Sequence, residues 1–290
     1  MLGSGVYVAA VTPMDEGGRV DDASVARLLA YFEAAGCKGV VLAGTNGEGP
    51  SLSAIEKRDL LRTASKCAGA LKLVLGIATP SLDEARWTCE QAAKNGAVAA
   101  LVMPPAYYRE ATADGVLDWF VALADESPCP IIAYNFPKMT GFTMTEEFVS
   151  QLAQHDNVIG FKDSSGEMDN LITYRRAATE GTELFVGNET LLLQALKGGW
   201  TGTISGAANC IPQWLAKVVA ERDEPTFRTV RAVVEAIRSC PQPMTNKAVL
   251  HALGVISTPT PRLPLVAGDP ARALDAMREH FGITAGNLAL

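Results

Sequence analysis

Histidine is nearly missing from this chain: His155, His251 and His280 are the only three in 290 residues, and each stands alone. A metal centre built on clustered histidines therefore has too few ligands, and a His-based catalytic triad has little to stand on. A basic surplus is missing too. The 25 Lys and Arg are outnumbered by 32 Asp and Glu, a formal charge of −7, which argues against a broad nucleic-acid surface. No apolar run reaches the roughly 20 residues that span a bilayer, so no membrane partner is expected. Residues 1–14 carry no basic stretch, and Asp15 and Glu16 follow at once, so no signal peptide is expected. The six cysteines, Cys37, Cys67, Cys89, Cys129, Cys210 and Cys240, form no C-x-x-C pair. Most lie in apolar context, which points to buried reduced thiols and a cytoplasmic protein.

What is present is a core. The chain is 48% hydrophobic and 20% charged, long enough to bury a large interior without disulfide staples. Short apolar runs rich in Val, Ile, Leu and Ala recur at residues 6–12, 39–44, 72–78, 99–103, 131–134, 158–162, 184–187 and 202–205. Between them lie amphipathic stretches of helical period. In residues 22–35, Val25, Leu28, Leu29 and Phe32 share one face. Residues 53–67 open on Ser53 with Glu56 three positions on, a capping box, and Ser81 with Glu84 repeats the pattern before residue 94. Strand-then-helix repeated means parallel strands joined by right-handed crossovers, and continuously apolar runs suit strands covered on both faces. Eight such units, each roughly 30 residues, predict an α/β fold, the (β/α)8 TIM barrel. A doubly wound sheet is the alternative, disfavoured because no G-x-G-x-x-G follows the first strand. The barrel is expected over residues 1–220 and to carry the active site. Helices at 212–221, 226–239, 244–253 and 270–281, with a Pro-rich link at 258–264, predict a C-terminal helical extension over 221–290 packed on the barrel.

Active sites of such barrels lie at the C-terminal ends of the strands. Lys162 is the outlier there. It continues an apolar strand, and alternation places it with Gly160 and Val158 on the face toward the barrel interior. Lost hydration favours the neutral amine, the form that attacks a carbonyl to make a Schiff base. The bland alternative is a buried Lys162–Asp163 pair, weakened because strand neighbours point to opposite faces. Lys72, at the opposite end of its strand, is the control and should be solvated. Tyr134 ends the neighbouring strand and could pass a proton near the lysine, or be a core tyrosine with a satisfied hydroxyl. Tyr107 and Tyr108 follow a diproline and suit an interface as well as a site. Residues 44–49 form a Gly-rich turn whose N–H groups could hold a carboxylate, although a plain tight turn looks the same. Residues 202–206 could cradle a phosphate or simply pack closely. Glu48 reads as a support or cap.

Together these motifs resemble the dihydrodipicolinate synthase and N-acetylneuraminate lyase family of pyruvate-dependent class I aldolases. The matching pieces are Gly44-Thr45-Asn46-Gly47-Glu48, Tyr107-Tyr108, Tyr134-Asn135-x-Pro137, Gly160-x-Lys162-Asp163-Ser164-Ser165-Gly166 and Gly202-x-x-Ser205-Gly206. The resemblance implies that Lys162 condenses with a 2-oxo acid substrate, and that Tyr134 shuttles the proton. It implies that Thr45 and the N–H of Asn46 hold the substrate carboxylate. In the synthase branch Thr45, Tyr108 and Tyr134 would form a proton relay, Tyr108 being lent across a subunit interface of a homo-oligomer, a tetramer or dimer. Gly187 and Ile204 fall at the strand ends beside this site, and Ser164, Asn188, Glu189 and Ser205 would line the path beyond the imine. No cofactor and no metal are implied.

Three departures from the synthases stand out. Met139, after Lys138, takes the place of an arginine that helps bind the substrate carboxylate. Asn46 stands for a second threonine. Ala54, Lys57 and Ala85 occupy the places of the His, His and Glu of a lysine feedback site. The expected activity is therefore carbon–carbon or carbon–oxygen bond cleavage in a 2-oxo-3-deoxy sugar acid or similar hydroxy 2-oxo acid. The first alternative is a synthase condensing pyruvate with aspartate semialdehyde, to 4-hydroxy-tetrahydrodipicolinate. A phosphate-binding barrel enzyme without an imine, and a non-catalytic relative that binds 2-oxo acids, are the remaining readings.

Overall fold

In a computed structural model, which describes residues 1–283, eight parallel strands close into a barrel. They are β1 (Gly5–Ala9), β2 (Gly39–Leu42), β3 (Lys72–Ile77), β4 (Ala99–Val102), β5 (Ile131–Asn135), β6 (Val158–Asp163), β7 (Glu183–Val186) and β8 (Gly202–Ser205), and β8 pairs back onto β1. Helices α1 (Asp22–Ala34), α2 (Ala54–Ser65), α3 (Leu82–Lys94) and α4 (Ala113–Glu126) cover the first half. The single turn α5 (Pro137–Thr140), then α6 (Glu146–Leu152), α7 (Asp169–Ala177), α8 (Leu192–Lys197) and α9 (Pro212–Glu221) cover the second. The expected architecture holds.

Two cores follow from strand alternation. Inside the barrel, Tyr7, Val41, Val74, Leu101, Ile132, Phe185 and Ile204 pack on one another. Outside, Val6, Val8, Val40, Leu75, Ala100, Val102 and Phe161 meet the helices. The floor is plugged by Tyr7, whose ring meets Phe185 edge-on at 5.3 Å and whose hydroxyl donates to the Leu2 carbonyl at 2.6 Å. Lys72 lies at this floor, as expected of the control, but it is not simply solvated: its Nζ donates to the Met1 and Leu2 carbonyls.

Local signals set the helix starts. Ser53 and Glu56 form the reciprocal capping box, and each such cap contributes about 1 kcal/mol. At α3 only half of it forms. Ser81 accepts from the Glu84 N–H, but the Glu84 carboxylate turns back to the Thr79 hydroxyl at 3.1 Å. The apolar run expected as a strand to residue 12 leaves β1 at Ala9. Beyond it, the Val11 N–H is taken by Asn209 Oδ1 at 3.0 Å and the Thr12 hydroxyl by the Gly47 carbonyl at 2.6 Å. Side chains thus satisfy the backbone that a ladder would otherwise pair.

One expected orientation fails. Val158 belongs to the outer core, while Ile159 packs against the inner one. The β5–β6 register shifts between Ile131 and Ile132, so one extra residue of β6 is spent before Gly160. From there Tyr134 pairs with Lys162, and both face inward.

After α9 come α10 (Glu224–Arg238), α11 (Met244–Ala252) and α12 (Ala271–Phe281). Residues 284–290 of the expected extension lie outside the described residues. α10 buries Phe227, Val230, Val233, Val234 and Ile237 along one stripe, against its neighbours in the extension and the barrel. The Pro-rich link is in fact a strap. Arg262 donates to the carbonyls of Gly18 and Ser51 and to Glu56, and Thr258 donates to the Met14 carbonyl.

Candidate active site

Lys162 rises from β6 at 5% exposure, and its Nζ sits 4.0 Å from the centroid of the Tyr134 ring on β5. No carboxylate forms a salt bridge with it among the described residues. The Lys162–Asp163 pair does not form, because Asp163 faces the other way. It accepts from Asn135 Nδ2 at 2.6 Å and from the Ser165 hydroxyl at 2.7 Å. Those two bonds tie the ends of β5 and β6 together and keep the strand-end side chains in place.

The Tyr134 ring stacks on Phe136, with centroids 5.7 Å apart, and its hydroxyl accepts from Ser164 Oγ at 3.3 Å. Gly187, at the end of β7, leaves the space that Lys162 needs. A Cβ there would run into Ser164 Oγ and stand 3.0 Å from Lys162 Cε. Gly206 plays the same part for Asn46, whose Nδ2 would lie 2.7 Å from an added Cβ.

The turn after β2 is held in an unusual backbone shape, with Ala43 at φ 52° and Glu48 at φ 54°. Non-glycine residues occupy that region only when their surroundings fix them. Glu48 is fixed from the C-terminal extension. It is buried, forms an ion pair with Lys247 on α11, and accepts from the Arg262 N–H at 2.7 Å. Asn46 is also set from α11, its Oδ1 accepting from Asn246 Nδ2 at 3.0 Å. Within the turn the N–H groups of Glu48 and Gly49 bond to the carbonyls of Thr45 and Gly44. The N–H groups of Thr45 and Asn46 find no acceptor among the described residues. They are half-buried donors at the barrel mouth, suited to a carboxylate.

These pieces enclose a cavity of about 300 Å³. Of the residues expected there, Thr45, Asn46, Tyr134, Lys162, Ser164, Gly187, Glu189 and Ile204 line it. Asn188 and Ser205 are not in its lining. Asn188 Oδ1 accepts from the N–H and hydroxyl of Thr190, and the Ser205 hydroxyl donates to Glu189 Oε1 at 2.7 Å. Tyr108 is absent from the lining as well. It is 73% exposed and meets Tyr107 edge-on at 5.3 Å. Glu189 lines the cavity, yet its carboxylate is committed to Ser205, the Ala207 N–H and Arg238 Nη1 at 2.8 Å. Burial works to raise its pKa. The Arg238 charge and these hydrogen bonds outweigh that and hold it below the ordinary carboxylate range.

Sequence reasoning missed the fourth wall. Ile237, Arg238, Cys240 and Gln242, all from the end of α10 and the turn after it, close the cavity. A basic residue in the last turn of a helix is ordinarily read as complementing the helix dipole, so Arg238 gave no signal.

Residues 3–277 match the Dihydrodipicolinate synthetase family. The chain is 32% identical over 290 residues to a 4-hydroxy-tetrahydrodipicolinate synthase of Exiguobacterium sibiricum, with 96% of this chain and 98% of that one covered. It is 33% identical over 269 residues to the synthase of that name from Archaeoglobus fulgidus, covering 90% and 92%. Among solved structures, dihydrodipicolinate synthase from Acinetobacter baumannii, complexed with pyruvate, superposes with a TM-score of 0.90 at 27% identity, covering 97% and 99%. The barrel, the strand-end lysine and these similarities agree: the chain belongs to the dihydrodipicolinate synthetase family of class I aldolases, enzymes that work through a lysine Schiff base.

Proposed function

We propose that Lys162 forms the imine and that the enzyme cleaves a 2-oxo-3-deoxy sugar acid into pyruvate and an aldehyde. The observation that carries this is the pairing of Lys162 with Tyr134 in a cavity where Met139 replaces the arginine of the synthases. The Lys162 amine adds to the C2 carbonyl and water leaves, giving a protonated imine. The C4 hydroxyl loses its proton to the relay through Tyr134 as the C3–C4 bond breaks. The electron pair of that bond passes into the imine as an enamine, and C4 departs as the aldehyde carbon. C3 then takes up a proton, and water returns pyruvate and the free amine. The N–H groups of Thr45 and Asn46 hold the C1 carboxylate throughout, which fixes C2 against the lysine. Ser164 keeps the Tyr134 hydroxyl in place.

The names of the relatives favour a second reading, condensation of pyruvate with aspartate semialdehyde. Either way the catalytic lysine and tyrosine are the same, and so is the expected pyruvate adduct. The exposed Tyr107–Tyr108 pair supports a homo-oligomer in which Tyr108 completes a neighbour's site. Burial raises the Cys37 and Cys129 thiols to about 12 and Cys89 to about 11, so these thiols stay protonated, in keeping with a cytoplasmic protein.

Borohydride trapping with pyruvate, mapped by peptide mass spectrometry, tests the first step. The expected result is a pyruvate-sized adduct on Lys162. Without one, the readings that lack an imine take over. Glyceraldehyde and aspartate semialdehyde, offered in turn with pyruvate, test the second step. Faster use of aspartate semialdehyde replaces the sugar-acid reading with the synthase.

A further inference from the structure

Arg238 stands in the wall of the same cavity as Lys162, but it comes from α10, outside the strands. Its side chain is 40% exposed, and only Nη1 is engaged, on the fully buried Glu189. Among the described residues Nε and Nη2 donate to nothing. Glu189 already receives the Ser205 hydroxyl and the Ala207 N–H, so it anchors the guanidinium without using up its outer donors. A second cation, Lys138, is exposed at the rim. With Glu189 matched by Arg238, the cavity keeps one positive charge in excess, Lys162 aside. Gln242 adds an acceptor: its Nε2 is tied to the Ile237 carbonyl, and its buried Oε1 has no partner. Thr45 and Asn46 already supply donors for the C1 carboxylate from a different element, so Arg238 is free for another group.

We infer that the substrate carries a second carboxylate at its far end, bound by Arg238, with a chain hydroxyl donating to Gln242. This rests on the sugar-acid reading above and narrows it to 2-oxo-3-deoxyaldaric acids, which have a carboxylate in place of the terminal hydroxymethyl group. A planar guanidinium with two free nitrogens matches a carboxylate edge. A phosphoester dianion would ask for more than the one positive charge in excess that the rim lysine leaves.

The test compares cleavage of a 2-oxo-3-deoxyhexarate with that of the 2-oxo-3-deoxyhexonate of the same configuration and with its 6-phosphate. The wild-type enzyme is expected to favour the hexarate in kcat/KM by on the order of tenfold or more, as a charge-assisted hydrogen bond implies. Arg238→Gln should reduce the hexarate-to-hexonate ratio at least about tenfold, mainly through KM, and Arg238→Lys should recover part of it. A purely structural Arg238 would scale both acids together, and that result overturns the inference. So does a wild-type preference for the hexonate or the phosphoester. Pyruvate trapping on Lys162 in each variant shows that the site remains assembled. Trapping without cleavage of any of the three acids overturns the sugar-acid reading beneath, which is a different outcome from a lost preference.

Discussion

Of the three lysines buried almost completely among the described residues, Lys57, Lys162 and Lys247, the last two are held in opposite ways. Lys247 is 0% exposed and Lys162 is 5% exposed. Lys247 meets Glu48 in an ion pair and donates to the Thr260 carbonyl at 2.8 Å. Burial pulls its pKa down while the Glu48 charge pushes it back up, and burial prevails. Lys162 meets an aromatic face and an open cavity. Burial is therefore not what distinguishes the proposed nucleophile from a strut. The difference is in the partners: a committed carboxylate fixes a lysine in place, and a cavity lined by donors leaves it available to a substrate. Both sites depend on the C-terminal extension, which supplies Lys247 itself and the Arg238 side of the cavity.

Exchanging the two amines is the strongest way to break this contrast. Lys162→Ala should remove turnover and borohydride trapping together, by more than about 10⁴-fold, because the other amine of the cavity lining, Lys138, is exposed at the rim and away from the Tyr134 ring that Lys162 meets. Its thermal unfolding should stay close to wild type, since no ion pair is lost. Lys247→Met should behave the other way, retaining imine formation at low temperature. It leaves Glu48 charged and buried without its partner, a loss of roughly 3–5 kcal/mol in denaturant unfolding. Residual turnover in Lys162→Ala, or full stability in Lys247→Met, would show that the partner sets have been misread.

Tyr134→Phe sharpens the comparison at smaller scale. The ring under Lys162 is kept and only the hydroxyl goes, so trapping with pyruvate should persist. The proton-dependent step should slow by about 10²-fold or more, the usual contribution of a positioned proton-transfer group. If trapping fails while turnover of preformed imine is normal, the hydroxyl assists imine formation instead.

Much of this was legible from the sequence. A lysine ending an apolar strand is conspicuous, as is a Ser-x-x-Glu start, because both break or punctuate a local period. Lys162, Tyr134 and the turn at Thr45 could thus be found by position along the chain. The facing of Val158 could not, since alternation cannot show a register shift between two strands 27 residues apart at Ile131 and Val158. Asn188 and Ser205 are polar residues at strand ends, where the same composition serves a cap or a pocket, and the structure uses them for Thr190 and Glu189. Arg238 and Asn246 act across 49 and 200 residues of chain. Such pairings are decided by tertiary packing and leave no local pattern.

The smallest expected effect tests how far the strap contributes to the strut side of the comparison. Glu56 closes the cap of α2 and receives the Arg262 guanidinium. The hydrogen bond from Arg262 is the main cause that holds its carboxyl down at about 2, from an ordinary 4.5, against the pull of burial. A carboxyl depressed by folding stabilises the folded state above its unfolded pKa and loses that contribution as pH falls through the folded one. The stabilisation is therefore present above about pH 4.5 and fades toward pH 2. The Glu56 side chain is 36% exposed, so solvent screening limits the pair to about 1 kcal/mol or less. Arg262→Gln should then unfold slightly earlier than wild type at pH 6, and the gap should shrink as the pH is lowered from 4.5 to 2. The Lys162 adduct yield at pH 6 should not move, because the hydrogen bond by which Arg262 holds the turn comes from its backbone N–H to Glu48, which glutamine retains. A gap that stays constant with pH would place the contribution of Arg262 in its bonds to the Gly18 and Ser51 carbonyls, which do not titrate.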